Sequence, residues 1–325
     1  MMENINFKNL TKTLIVAEIG VNHEGDFQLA CDMIEKASKC NVDAVKFQTF
    51  KAENYVSTSQ EERRARVKKF ELSYNQFEKL KKIAHKNNLI FFSTPLHKLD
   101  IDFLSKISDI IKISSGDLTH LELIDHAAKT NKALIISTGL GKIPEISEAI
   151  NTVLKRRPKI IKQGKLAILH CVSSYPTPVE ESNLNNIRLL SEKYKCVVGY
   201  SDHTLGTKTC ELAVALGAQI IEKHFTYRKE NQKFHDHLIS ADPSEMKSLV
   251  KKIRNVETIC GKYERGIGKS EKKFYNHIRR SFAVNRKMSK GDIIKSGDLI
   301  LLRPALGFSP KEKNKILGRK LKKNL

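Results

Sequence analysis

The chain reads as an α/β protein: a closed, parallel (β/α)8 barrel (a TIM barrel) followed by a small β-rich domain. Three observations predict this. Short apolar runs of strand length recur eight times, amphipathic helical stretches lie between them, and the pattern changes after Gly261.

The strand-like runs cover residues 14–19, 44–48, 89–93, 110–113, 133–137, 166–170, 197–200 and 220–224. Residues 27–39 set Leu29, Ala30, Met33, Ile34 and Ala37 at helical spacing, and 75–86 do the same with Phe77, Leu80, Ile83 and Ala84. Residues 144–154 open with a proline in the first turn and carry Ile146, Ala149, Ile150 and Val153. Further helices are expected over 181–194, 207–215 (stopped by Gly217) and 243–260. Eight such units within about 260 residues point to a closed barrel. A doubly wound open sheet would need fewer strands and a glycine-rich phosphate turn, which Gly20 and Gly25 do not form.

The barrel is assigned residues 1–262. Residues 263–280 are basic with little periodicity and read as a linker. Residues 281–325 alternate short apolar runs with Gly and Pro turns, which predicts a strand-rich domain too small to hold a large core alone.

Of the 325 residues, 40% are hydrophobic and 29% charged, as in an ordinary globular protein. No apolar run approaches the roughly 18 residues that span a bilayer, so no membrane association is expected. Residues 1–6 lack a basic segment followed by an apolar one, and the six cysteines are scattered without a C-x-x-C pair. Reduced thiols in a cytoplasmic protein are the expectation. The net charge of +22 raises a polyanion partner. However, the lysines spread over helical surfaces, aromatics are 7%, and there is no Trp to stack on bases. A non-catalytic nucleic-acid scaffold would leave the polar strand ends below unexplained, so no nucleic-acid partner is expected.

In such a barrel the active site lies at the C-terminal ends of the strands. Here those ends are polar throughout: Glu18, Lys46-Phe47-Gln48-Thr49, Ser93-Thr94-Pro95, Lys112-Ile113-Ser114-Ser115-Gly116-Asp117, Ser137-Thr138-Gly139, His170-Cys171, Ser201-Asp202-His203 and His224. A lysine inside an apolar strand is costly unless paired or used. Lys46 and Lys112, with hydroxyls from Thr94, Ser115, Ser137 and Ser201, suit a phosphate plus a carboxylate. The competing reading pairs each lysine with a buried carboxylate such as Glu18 as barrel filling. His203 and His224 close two strands joined by one crossover helix, which brings two imidazoles to one end of a sheet. With oxygen ligands they suit Mn²⁺, Zn²⁺ or Co²⁺. His170 fits a site or a core role equally well, and His235 and His237 fit substrate contacts or a solvated loop.

Ala17-Glu18-Ile19-Gly20-Val21-Asn22-His23-Glu24-Gly25, Val45-Lys46-Phe47-Gln48-Thr49, Ile111-Lys112-Ile113-Ser114-Ser115-Gly116-Asp117, Tyr175-Pro176-Thr177-Pro178, Gly199-Tyr200-Ser201-Asp202-His203-Thr204 and Glu222-Lys223-His224-Phe225-Thr226, with Ser93-Thr94-Pro95 and Ser137-Thr138-Gly139, occur in order. As a set they resemble the sialic acid synthase family, whose members make sialic-, pseudaminic- and legionaminic-acid-type sugars. Residues 291–307, with Leu302-Arg303-Pro304, resemble that family's C-terminal antifreeze-like (SAF) domain.

The resemblance implies a transferase that condenses phosphoenolpyruvate with the open-chain aldehyde of an N-acylated hexosamine, N-acetylmannosamine or a 6-deoxy diacetamido relative. Water is consumed, and the products are a nine-carbon 2-keto-3-deoxy acid and phosphate. It implies that His203 and His224 hold a divalent metal, Mn²⁺ first, with Mg²⁺ or Co²⁺ as alternatives. Lys46, Thr94, Lys112, Ser115, Ser137 and Ser201 would hold phosphoenolpyruvate. Glu18, Asp117 and Lys112 would serve the chemistry, and Tyr175 and Asp236 the sugar. Arg303 would reach the sugar's acyl group across a domain-swapped homodimer. A synthase acting on a phosphorylated sugar is the alternative, and it would lack the C-terminal domain. The chain departs from the family pattern at residues 49–71, which are short, and at Lys233-Phe234-His235-Asp236-His237.

Overall fold

In the computed structural model, which describes residues 5–232 and 234–325, eight parallel strands close into a barrel with β1 hydrogen-bonded to both β2 and β8. Lys233 and the first four residues of the segment read for a secretion signal lie outside the described residues. The strands are β1 (Leu14–Gly20), β2 (Ala44–Thr49), β3 (Ile90–Pro95), β4 (Ile110–Ile113), β5 (Ala133–Ser137), β6 (Leu166–Cys171), β7 (Val197–Asp202) and β8 (Ile220–His224). All eight expected strands form, with ends shifted by at most two residues.

The helices between them are α1 (Phe27–Lys39), α2 (Ala52–Tyr55), α3 (Glu61–Lys68), α4 (Tyr74–Lys86), α5 (Lys98–Ile107), α6 (Leu121–Lys129), α7 (Ile143–Arg156), α8 (Asn186–Tyr194) and α9 (Lys208–Ala215); α10 (Asp236–Ile239) and α11 (Pro243–Cys260) follow β8. Local chemistry sets several starts. Asp26 accepts from the amide of Leu29, and capping boxes Ser73/Gln76 and Asp242/Glu245 open α4 and α11. The helix expected from residue 181 begins at Asn186, because a 3-10 turn at Val179–Glu181 precedes it. Short α2, α3, α5 and α6 are additions to the predicted set.

Side chains along a strand alternate between faces, and this alternation organises the whole barrel. One buried cluster fills the interior with Leu14, Val16, Ala44, Phe92, Ile110, Ile135, Ala167, Leu169, Val197 and Ile220, and Phe7 joins it. The larger cluster lies between strands and helices. Each fully buried aliphatic or aromatic side chain contributes roughly 1.5–3 kcal/mol. Gly199 faces the interior where no side chain fits: a Cβ there would lie 2.5 Å from the Ile220 carbonyl oxygen.

The second compact unit, Lys262–Leu325, contains α12 (Lys269–Lys272) and α13 (Tyr275–Ile278), both within the stretch expected as linker. An antiparallel pair, β9 (Ser281–Val284) and β10 (Leu299–Leu302), and α14 (Lys313–Ile316) complete it.

The outward residues at the ends of β7 and β8 include a buried ion pair. Lys223 Nζ lies 2.7 Å from Asp202 Oδ2 and also donates to the Thr204 carbonyl at 2.6 Å. Asp202 Oδ1 accepts from Tyr200, the Thr204 amide and Thr209. Burial works against the Asp202 charge, but Lys223 outweighs it and holds the carboxyl below its usual range. Lys223→Met leaves that carboxylate buried and unpaired, so it should cost about 3–5 kcal/mol in denaturant unfolding. The double variant Asp202→Asn with Lys223→Met should recover part of the loss; equal stability of wild type and Lys223→Met would contradict the pairing.

Candidate active site

Alternation carries the interior parity upward to the C-terminal rim. Counting by two from the apolar floor, Glu18, Lys46, Thr94, Lys112, Ser137, Ser201, His203 and His224 all project into the barrel mouth. They line a cavity of about 280 Å³, with Ser115 and Tyr175 from the loops after β4 and β6. The same count puts Glu222 inside, two residues before His224.

Four charges meet there with almost no solvent contact. Lys46 Nζ is 2.7 Å from Glu18 Oε2 and 3.7 Å from Glu222 Oε2, and it donates to Thr94 Oγ1 at 3.2 Å. Lys112 Nζ is 3.4 Å from Glu222 Oε1, which also accepts from Ser201 Oγ at 2.9 Å. The lysines are therefore paired with buried carboxylates, as the competing reading expects, and they also line the mouth. Burial pushes the Glu18 carboxyl up to about 7; Lys46 opposes the rise and Glu222 adds to it. Burial also disfavours the Glu222 charge, but Lys112 and Lys46 outweigh it and keep that carboxyl low. Burial lowers the Lys112 ammonium.

The two histidine rings lie 5.5 Å apart at 54°. His203 Nδ1 is 2.8 Å from the Val172 carbonyl oxygen. A proton on Nδ1 would satisfy that carbonyl and leave the Nε2 lone pair free, the usual orientation of a ligating histidine. Burial foremost, then His203 and the nearby lysines, drive His224 well below the ordinary imidazole range, so it is neutral. Its Nδ1 is buried without a hydrogen-bond partner among the described residues, as are Ser137 Oγ and Glu222 Oε2. Buried polar atoms without partners are rare unless a ligand or water completes them. Among the described residues no three His, Cys, Asp or Glu side chains gather as a metal cluster. Burial disfavours the His203 cation, but Cys171 and the Val172 carbonyl outweigh it and raise that imidazole. Two imidazoles at this spacing fit a borderline divalent ion whose remaining ligands are substrate oxygens and water.

The Tyr175 ring centre lies 4.1 Å from that of His203, with the two rings tilted by 36°. Together with Gln48, Tyr55 and His224, Tyr175 also lines a second cavity of about 400 Å³. Asp236 faces this second cavity, with Oδ2 3.9 Å from His224 Nδ1. Ser115 Oγ accepts from the Gly139 amide at 3.0 Å.

Other candidates lie elsewhere. Asp117 sits in the 3-10 turn after β4, where Ser114 Oγ donates to it at 2.6 Å, and it lines neither cavity. Arg303 belongs to the second unit, one residue past β10. His170 points outward, stacks on Tyr200 and bonds the Ser182 carbonyl at 2.7 Å, away from the mouth. His237 is buried against Thr226 and Glu24 and anchors its loop, while His235 is exposed and 3.0 Å from Asp236 Oδ1. The sequence reading gave no role to Glu222, Gln48 or Cys171, all of which line the mouth. Strand alternation counted back from His224 is the signal that finds Glu222.

This arrangement places two cations, hydroxyl donors and two imidazoles above an apolar floor. It can bind a small anion that carries both phosphate and carboxylate, and a second reactant beside the histidines.

The chain is similar to known proteins along most of its length. The model of the NeuB family matches residues 33–265. The N,N'-diacetyllegionaminic acid synthase of Campylobacter jejuni is 39% identical, with 97% of each chain covered. A pseudaminic acid synthase of the same species is 31% identical over 98% of this chain and 95% of its own. The crystal structure of a Leptospira borgpetersenii N-acetylneuraminic acid synthetase, 35% identical, superposes with a TM-score of 0.77 over 83% of this chain and 94% of that one. The chain therefore belongs to the NeuB family.

Proposed function

We propose that this protein is a synthase that joins phosphoenolpyruvate to the open-chain aldehyde of an N-acylated hexosamine. It would release phosphate and a nine-carbon 2-keto-3-deoxy acid. The observation that carries the reading is the pair of buried lysines, Lys46 and Lys112, beside two imidazoles in one barrel mouth. Two relatives, each 39% identical, are named N,N'-diacetyllegionaminic acid synthases, which favours a diacetamido sugar over N-acetylmannosamine. The six cysteines are free and no described helix is long and apolar enough to cross a membrane, in keeping with a cytoplasmic enzyme.

Lys46 and Lys112 would offset the charges of the phosphate and carboxylate, where weak solvent screening strengthens both contacts. Ser115, Ser137 and Ser201, with Thr94, would complete the anion's hydrogen bonds and fix the enol carbon toward the second cavity. A divalent ion held by His203 and His224, Mn²⁺ by our reading, would supply Lewis-acid polarisation of the sugar aldehyde. C3 of phosphoenolpyruvate then forms a bond to the aldehyde carbon, which becomes an alcohol on protonation. Water adds at C2, and phosphate leaves from the resulting tetrahedral centre. Glu18, with its carboxyl near 7, would move the proton of that water. Asp236 and Tyr175 would position the sugar. Asp117, outside both cavities, would act only through Ser114. The small unit would serve as the antifreeze-like domain, with Arg303 of the partner subunit contacting the acyl group.

With Mn²⁺ present, the protein should release phosphate from phosphoenolpyruvate only when an N-acylated hexosamine is added, and the mass of the product identifies the sugar. No release with any member of a hexosamine panel would refute the synthase. His224→Ala should raise the Mn²⁺ concentration needed to stabilise the fold in thermal unfolding. It should also cut kcat/KM by about 100-fold or more, since such polarisation is worth several kcal/mol. Sizing in solution should give a dimer; an active monomer would remove the role given to Arg303.

A further inference from the structure

The second cavity is walled on one side by α3, and α3 does not look like a helix held by the core. It has no buried residue. Arg63, Arg66, Val67 and Phe70 nevertheless all face that cavity. Their spacing is i, i+3, i+4 and i+7, the positions that normally form the apolar stripe of a core-facing helix. Here two of the four are arginines.

The segment is fixed from outside the helix. Gly25, at φ +85°, lets the β1 loop approach so closely that a Cβ would lie 2.0 Å from the Lys69 carbonyl oxygen. The Phe70 ring meets Phe234 edge-on at 5.1 Å. Neither arginine has a carboxylate within ion-pair range among the described residues. Arg63 donates to Gln60 at 3.0 Å and its guanidinium lies 5.9 Å over the Tyr55 ring. Two guanidinium groups on a pocket wall with donors to spare call for an acceptor on whatever fills it.

We infer that Arg63 and Arg66 are specificity residues that read the acyl carbonyl of a second acylamino group on the sugar; this rests on the synthase reading above. Two features select an acyl group over a phosphate. Phe50, Phe70 and Phe234, with Val21 and Val67, form an apolar part of the wall, which suits acyl methyls and offers a dianion no donors. The Asp236 carboxylate faces the same space; it accepts from an amide N–H and repels a phosphate.

The test measures kcat and KM for a 2,4-diacetamido-6-deoxyhexosamine and for N-acetylmannosamine, using wild type, Arg63→Met, Arg66→Met and Arg66→Lys. Both residues are exposed, so the variants should fold as wild type does. For the diacetamido sugar, KM should rise about tenfold or more in each Met variant, as expected for a lost charge-assisted hydrogen bond. Arg66→Lys should give an intermediate KM. KM for phosphoenolpyruvate should stay unchanged, and N-acetylmannosamine should show less than about threefold change. Wild-type turnover with variants that match it, or that lose both sugars equally, would overturn this inference alone. Failure of wild type on both sugars would overturn the synthase reading with it.

Discussion

The barrel mouth depends on one constraint: two lysines and two glutamates share a space almost closed to water. Any one of these charges alone would carry a desolvation penalty of several kcal/mol. Lys46 between Glu18 and Glu222, and Lys112 on Glu222, offset that cost pairwise and leave the set near neutrality. The set is nonetheless poorly satisfied. Glu222 Oε2 has no hydrogen-bond partner among the described residues, and Glu18 is held close to its protonation point. Hydrophobic filling would be more stable, so this assembly makes physical sense as a receptor. An entering dianion can take over the ammonium contacts while a carboxyl picks up a proton, so ligand charge is accommodated by rearranging protons already present.

The dry interior below makes this electrostatics strong. Leu14, Val16, Phe92, Ile135 and Leu169 fill the barrel under the charges, and Gly199 lets the strands close where a side chain would collide with Ile220. A low-dielectric floor strengthens every interaction above it. The same alternation that turns Glu222 and His224 inward turns Lys223 outward to Asp202, and it turns His170 outward to Tyr200. Residues adjacent in sequence thus serve opposite purposes: one face carries reactivity, and the other braces the strand ends that hold it.

The strands were legible because burial on both sides makes their runs almost continuously apolar, and against that background Lys46 and Lys112 stand out. His203 and His224 were legible from matching positions on successive units. Glu222 was not, since it precedes Lys223 and the pair reads as ordinary neighbouring charges until the period of two is imposed. α3 was invisible for the same kind of reason: Glu61–Lys68 has no apolar stripe to detect. Asp117 looked like a strand-end carboxylate, but the turn after β4 directs it to Ser114 rather than the mouth. Arg303 was assigned through resemblance, and a single chain offers no local chemistry that would position it.

The two cavities are built by different means. Strand residues locked by the barrel register supply the charged groups of the first, so a shift in any of them disturbs the fold. Loop residues and a helix without buried residues contribute most of the second. Tyr175 and His224 are among the side chains common to both cavities, and they tie the variable wall to the fixed one. Substitutions on the α3 side therefore carry little stability cost, whereas removing one charge from the mouth leaves its partner buried and unpaired. A family with one condensation chemistry and several sugars would be expected to divide its structure along this line.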